Sequence, residues 1–440
     1  MTDRHLGRDL LLLLLGQVVV LGAFRMALPA DLAANEGSDY LAFYRPVAGQ
    51  LADGDGLVTE EGEAATRYPP GYPVVLAATF VVADVAGLAR DSLVTPLTIG
   101  LTATAGLLLH LVARRVLDRR HAWATSAVWL GYPLLLWTAK QPNSEIPYLV
   151  ALYGVVLLLV PLLERGTIGG ARLAAAGALL GVGTVVRPAG LLLVPAFAVV
   201  LWRRPAGSGR AGLRLAAVFV AAFAVPVLTA SAWMSLARGE RVLVSDANDV
   251  TIVEGLSFAI DSPEEAEALP MPGGLRRFVV ESQAREGELL RRGDVVSYLA
   301  EATRERPVVV AQLVAYKAAR SWYGTESFRF EGLLALTQVV WVGATVAGIA
   351  IGRRRGATVR WYTWLALSLT AGAWWAAIAT LSIVRYLVPT LGLLAPLVAV
   401  ALLAAVDRAR GRPRDPAPRA GTAPDDASDA ALTGPAVAGS

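Results

Sequence analysis

Apolar runs of about 20 residues recur along nearly the whole chain, starting near Leu10, Pro73, Leu93, Ala122, Ile146, Leu173, Leu213, Leu333, Trp361 and Tyr386. A bilayer core takes ~20 helical residues to cross, and inside it every backbone polar group has to be satisfied within the segment. This repetition selects a polytopic bundle of membrane helices and excludes soluble architectures. Composition agrees: of 440 residues, 55% are hydrophobic and 17% charged, and the mean hydropathy is +0.52, too little charge to clothe a soluble surface of that size. The expected fold is all-α, with about nine to eleven membrane segments, an outer first loop over 31–71 and an amphipathic outer insert over 238–331. All of these belong to one membrane domain, 1–406, followed by a tail at 407–440 rich in Ala, Pro, Gly, Asp and Arg that reads as disordered and cytoplasmic.

Charge placement suggests an orientation. Arginine carries nearly all the basic charge, since Lys140 and Lys317 are the only lysines. The arginines gather in short loops: Arg114-Arg115 with Arg119-Arg120, Arg203-Arg204 with Arg210 and Arg214, and Arg353-Arg354-Arg355 with Arg360. That is the pattern of cytoplasmic connections, not of a nucleic-acid-binding face. The acid-rich stretch Asp31–Arg67 then falls on the outer face. Counting every apolar run as a crossing puts Arg114 to His121 outside, against the positive-inside rule. Treating Pro73–Leu88 and Leu173–Val186 as re-entrant pieces returns the basic loops to the inside and moves Glu145 to the face of Asp39. Both arrangements remain open at this level. Leu10–Leu28 reads as an uncleaved first span rather than a signal peptide. Val308–Phe330 is expected along the interface, with Lys317, Arg320, Trp322 and Tyr323 anchoring headgroups. The chain has no cysteine, and its three histidines are scattered, so neither thiolate chemistry nor a zinc site is expected.

Five short motifs are able to carry chemistry. Asp39, just past the first span and beside Tyr40, Tyr44 and Arg45, is placed to act as a general base, or is a solvated loop carboxylate. Arg67-Tyr68-Pro69-Pro70 opens the next apolar helix, and the paired prolines alone account for it as helix punctuation. Glu145 stands at the start of another helix, where the dipole favours a carboxylate whatever its function. Arg187-Pro188 interrupts a long apolar run; an intramembrane arginine marks a ligand site, unless it snorkels to the surface. Arg385-Tyr386 lies between the last two spans. There a guanidinium can clamp a phosphate through two parallel hydrogen bonds, or anchor a headgroup.

In this order, these motifs resemble the GT-C class of membrane glycosyltransferases, most closely its protein-mannosyltransferase and aminoarabinose-transferase types. The match runs from a first-loop Asp (Asp39) and an aromatic-Pro-Pro element (Tyr68-Pro69-Pro70), through a loose Ser-Glu-x-Pro (Ser144 to Pro147), to Arg187-Pro188 after Gly181 and Gly183. It ends on Arg-Tyr-Leu-x-Pro at Arg385 to Pro389. Tyr40 stands where protein mannosyltransferases carry a second acid, so the acceptor is not assigned by family. The resemblance implies an inverting enzyme of the cell (inner) membrane, with an extracytoplasmic active face. It would move a sugar, mannose being one candidate, from a polyprenyl-phosphate donor to a glycan, lipid or protein acceptor. Asp39 would be catalytic, Arg385 and Arg187 would hold the donor phosphate, and Tyr40, Arg67, Tyr68, Glu145 and Tyr386 would contact substrate. A divalent metal is compatible with such a site, though no metal ligand is assigned. A secondary transporter, or a non-catalytic member of an envelope-assembly complex, is the competing class. Transporters tend to show repeated halves, and the insert has no counterpart in the first half.

Overall fold

A computed structural model describes residues 5–29, 32, 39–204, 209–246, 248–292 and 294–411. Among these residues no strand forms, and the one ladder contact is an isolated bridge between Val58 and Ala64. The chain is an all-α multi-pass membrane bundle. Six segments are long and apolar enough to cross a bilayer by length and composition: Leu6–Ala27, Arg90–Val116, Glu145–Arg165, Gly209–Arg238, Glu331–Gly352 and Val388–Ala409.

In chain order the helices are α1 (Leu6–Ala27), then a π-helical turn (Tyr40–Tyr44) running into α2 (Arg45–Asp53), α3 (Gly71–Val85) and α4 (Val94–Val116). A broken pair, α5 (Arg119–Leu130) and α6 (Pro133–Ala139), leads to α7 (Glu145–Arg165), α8 (Gly170–Val186), α9 (Gly190–Arg203) and α10 (Gly209–Arg238). The insert contributes α11 (Asn248–Ser257), α12 (Pro263–Ala268), α13 (Gly273–Ala284), α14 (Glu286–Arg292), α15 (Val295–Glu305) and α16 (Pro307–Arg320). The last passages are α17 (Glu331–Gly352), α18 (Ala357–Ala379) and the pair α19 (Val388–Leu391) and α20 (Ala395–Ala409).

Ion pairs reveal which helix ends lie together. Arg114 and Arg119 both hold Asp9, at 3.0 and 2.6 Å. Arg120 holds Asp407 at 2.7 Å, Arg115 holds Glu164 at 3.2 Å, and Arg204 donates to the Leu163 carbonyl at 2.8 Å. The starts of α1 and α5 and the ends of α4, α7, α9 and α20 therefore share one end of the bundle, the arginine end. At the other end Arg187, just past α8, meets Glu145 at the start of α7, 3.1 Å away.

This geometry matches neither crossing scheme in full. α3 does not traverse. Its Asp84 pairs with Arg90, which also pairs with Asp53 of α2, while its first residue, Gly71, sits against Val185 at the end of α8. Both ends of α3 thus stay at the end opposite the arginines. α8, by contrast, runs the full depth beside α7 and α10, so only the first of the two proposed re-entrant pieces is one. Gly177 and Gly181 let α8 approach α10 closely, because a Cβ there would come within 2.3 and 2.4 Å of the Phe219 and Phe223 carbonyls. This small-x-x-x-small spacing is a common solution where lipid offers helices no hydrophobic drive to associate.

The insert has a core of its own, with Val253, Phe258, Leu275, Phe278, Val279 and Leu313 buried together. Here the interfacial reading of 308–330 is corrected. Lys317 is 4% exposed and donates to the Gly255 carbonyl at 2.9 Å; Arg320 is 0% exposed and holds Glu331 at 2.8 Å. Lys317 ties α16 to α11 within the insert, and Arg320 ties α16 to the start of α17; both are buried instead of reaching headgroups. Burial, with Arg320 adding to it, pulls the Lys317 amine down to about 7.

Candidate active site

Five chain breaks converge opposite the arginine end. Asp39 directly precedes the π turn. Tyr68 lies ahead of Pro69-Pro70, which start α3. Glu145 opens α7, Arg187 follows α8, and Arg385 sits in a 3₁₀ turn, Val384–Tyr386, just before α19. Each position is a helix terminus, where backbone geometry leaves a side chain free to face a cleft.

Arg385 is the hub. Its Nε is 2.9 Å from Glu145 Oε1, and its Nη2 lies 3.1 Å from Glu326 Oε1 and 3.8 Å from Asp39 Oδ2. Arg187 Nη1 reaches the same Glu145 oxygen at 3.1 Å and donates to Ser144 Oγ at 3.1 Å. The Tyr386 ring lies near both guanidiniums, 5.0 Å from that of Arg187 and 5.9 Å from that of Arg385. Tyr68 donates its hydroxyl to Asp39 Oδ1 at 3.0 Å.

The two central carboxylates differ in access. The Glu145 side chain is 2% exposed and shared by two guanidiniums, while that of Asp39 is 42% exposed. A buried carboxylate needs such partners, since an unpaired charge there costs several kcal/mol. Glu145 thus fixes the two arginines, and Asp39 is the carboxylate that is open to the outside of the fold. Three carboxylates, Glu145, Glu326 and Asp39, face the two guanidiniums, so an anion reaching Arg385 Nη2 has to take the place of Glu326 or Asp39 there. Burial opposes the charge on Arg385, but the Glu145 and Glu326 carboxylates outweigh it and hold Arg385 well above its usual range. Burial, then the Asp39 charge, raises the Tyr68 phenol, so Tyr68 stays a proton donor to Asp39.

Of the residues expected from sequence, Asp39, Tyr68, Glu145, Arg187, Arg385 and Tyr386 come together. Arg67 stands at the edge, its guanidinium 5.4 Å from the centre of the Tyr68 ring. Tyr40 is drawn elsewhere: its hydroxyl donates to Asp91 at 2.7 Å, and Asp91 also pairs with Arg45 at 2.8 Å. Sequence reasoning missed Glu326, which sits in the short link between α16 and α17 with no periodicity to single it out. It also missed Asn143, whose Oδ1 accepts from the Ile146 amide at 3.2 Å. Asn143 therefore caps α7, the role that sequence alone left open for Glu145, and an Asn two residues before that Glu was a readable cap signal. Glu36 lies outside the described residues. Among the described residues no group of three or more His, Cys, Asp or Glu side chains converges to hold a metal. The partners of Glu145 are guanidiniums, so no step is assigned to an ion.

No family model matches the sequence, and no curated protein matches it either. Solved structures do. Archaeal oligosaccharyltransferase AglB from Archaeoglobus fulgidus, in complex with an inhibitory peptide and a dolichol-phosphate, superimposes with a TM-score of 0.53 at 13% identity. The match covers 94% of this chain and 53% of that one. The Archaeoglobus fulgidus oligosaccharyltransferase tethered to an acceptor peptide containing the NVT sequon gives 0.53 at 14% identity, over 92% and 50% of the two chains. ArnT from Cupriavidus metallidurans bound to undecaprenyl phosphate aligns at 0.42 and 16% identity, over 93% and 80%, a likeness too weak to argue from. The chain spans about half the length of the oligosaccharyltransferases it matches. At these identities the likeness speaks to fold alone: the chain shares the fold of the matched half of the archaeal oligosaccharyltransferase.

Proposed function

We propose that the protein is a membrane glycosyltransferase that moves a sugar from a polyprenyl-phosphate donor to a hydroxyl acceptor, with inversion at the anomeric carbon. The observation that carries this reading is the pairing of an accessible carboxylate, Asp39, with an arginine held in place by a buried glutamate, 3.8 Å away. Glycosyl transfer from a lipid phosphate needs a base for the acceptor proton and a cation for the departing phosphate, side by side. Asp39 takes the acceptor proton as the acceptor oxygen attacks the anomeric carbon. The bond from that carbon to the phosphate oxygen breaks, and Arg385 with Arg187 receives the phosphate. Tyr68 orients Asp39, while Tyr386 and Arg67 shape the rim. The lipid bilayer holds the polyprenyl tail beside the cleft.

Placing the arginine end in the cytoplasm by the positive-inside rule puts this site on the extracytoplasmic face of the cell membrane. The acceptor is a glycan, lipid or protein, and mannose is one candidate for the sugar. The resemblance in the motifs and the likeness in fold support the same reading. The test is transfer of radiolabelled sugar from synthetic polyprenyl-phosphate sugars by the purified protein, with an extract of envelope glycans as acceptor. Label entering the acceptor supports the proposal. No transfer from any lipid-linked sugar tried, by protein that is well folded, overturns it.

A further inference from the structure

At the arginine end, away from the site just described, α1, α4, α7 and α8 enclose a half-open cavity of about 590 Å³. Its rim carries Arg114, Arg115 and Arg172, and its wall is formed by Leu111, Leu158 and Pro161. Two carboxylates face this region. Asp9 is held by Arg114 and Arg119, and Glu164 by Arg115. Four guanidiniums against two carboxylates leave positive charge in excess. Arg172 is exposed and makes no ion pair among the described residues. A basic rim over an apolar wall between membrane helices has the chemistry of an anionic lipid site: phosphate oxygens at the rim, acyl carbons along the wall. The volume lies within the range of small-ligand sites.

We propose that this cavity binds one anionic phospholipid, its phosphodiester at Arg115 and Arg172 and the upper part of an acyl chain along Leu111, Leu158 and Pro161. Such a lipid joins the ends of α1, α7 and α8. The far ends of the same helices lead into Asp39, Glu145 and Arg187, so the bound lipid ties together the helices that bear the site.

The experiment uses the delipidated full chain in neutral detergent. Phosphatidylglycerol, phosphatidylcholine or inorganic phosphate is added, with retained lipid read by native mass spectrometry and unfolding temperature read in parallel. The expected result is one tightly retained phosphatidylglycerol that raises the unfolding temperature. Phosphatidylcholine should be retained far less, and inorganic phosphate should protect little, which separates a lipid headgroup from a free phosphate. Arg172→Gln, an exposed change that breaks no recorded ion pair, should weaken retention about tenfold, as expected for a charge-assisted contact. Arg353→Gln, at the same end but outside the cavity, should leave it unchanged. Equal retention of both lipids, full protection by phosphate alone, undiminished binding by Arg172→Gln, or an equal loss in Arg353→Gln would each overturn the proposal.

Discussion

Asp39→Asn removes a proton acceptor while keeping nearly the same shape in a partly exposed position. A positioned general base typically contributes ~10²–10⁴-fold, so turnover should fall by about that much, with donor binding and unfolding temperature little changed. Single-turnover transfer by the purified variant checks this, and a wild-type rate would move the base elsewhere. Arg385→Lys keeps the charge but cannot serve Glu145 and a phosphate at once, because its single ammonium lacks the planar fork. Losing one charge-assisted contact costs roughly 1.5–3 kcal/mol, so donor affinity should drop on the order of tenfold to a hundredfold, measurable by titrating the lipid-linked donor. Unchanged affinity would take Arg385 out of the phosphate site. At this scale much was legible in the sequence. Asp39, Arg187 and Arg385 drew notice because charge beside apolar runs is costly and seldom idle. Glu326 stayed hidden, since an acid in a short polar link looks like any solvated residue until the fold brings it 3.1 Å from Arg385. Tyr40 shows the converse: adjacency to Asp39 in sequence did not keep its hydroxyl there, because Asp91 offered a charged acceptor.

Helix ends carry the next level of argument. Gly71 starts α3 so close to α8 that an added Cβ would lie 2.6 Å from the Val185 carbonyl oxygen. Backbone on both sides leaves little room to yield, and overpacking of this kind costs about 1–3 kcal/mol. Gly71→Ala should therefore lower the unfolding temperature. It should also cut turnover well beyond what the lost stability explains, because Tyr68 and Arg187 flank that contact. Comparing turnover with unfolding temperature tests this, and full activity with an unchanged melt would show that the contact gives way easily. The long helices α1, α7 and α10 were readable from length and hydropathy alone. α3 stayed open between a crossing and a re-entrant piece, because its apolar residues divide: Leu76 and Phe80 are buried against protein, while Val74 and Val82 are exposed. A hydropathy count cannot tell burial in protein from burial in lipid. The insert was readable as amphipathic helices, but its buried Lys317 and Arg320 looked like surface anchors until Gly255 and Glu331 were seen opposite them.

For the molecule as a whole, the ion pairs tying Asp9, Glu164 and Asp407 to loop arginines place the starts of α1 and α5 and the ends of α4, α7 and α20 at one end. Activity reporters fused after Asp118 and Arg410 should accordingly report cytoplasmic, and those fused after Gly56 and Pro272 extracytoplasmic. A cytoplasmic signal at Pro272 would reverse the proposed face of the site. The Asp9 contact also bears on biosynthesis. Asp9 is 1% exposed in the finished bundle, yet Arg114 emerges 105 residues later. At about 5–20 residues per second, α1 waits roughly 5–20 s for that partner. Through that interval its carboxylate has to stay at the aqueous surface, so α1 docks late.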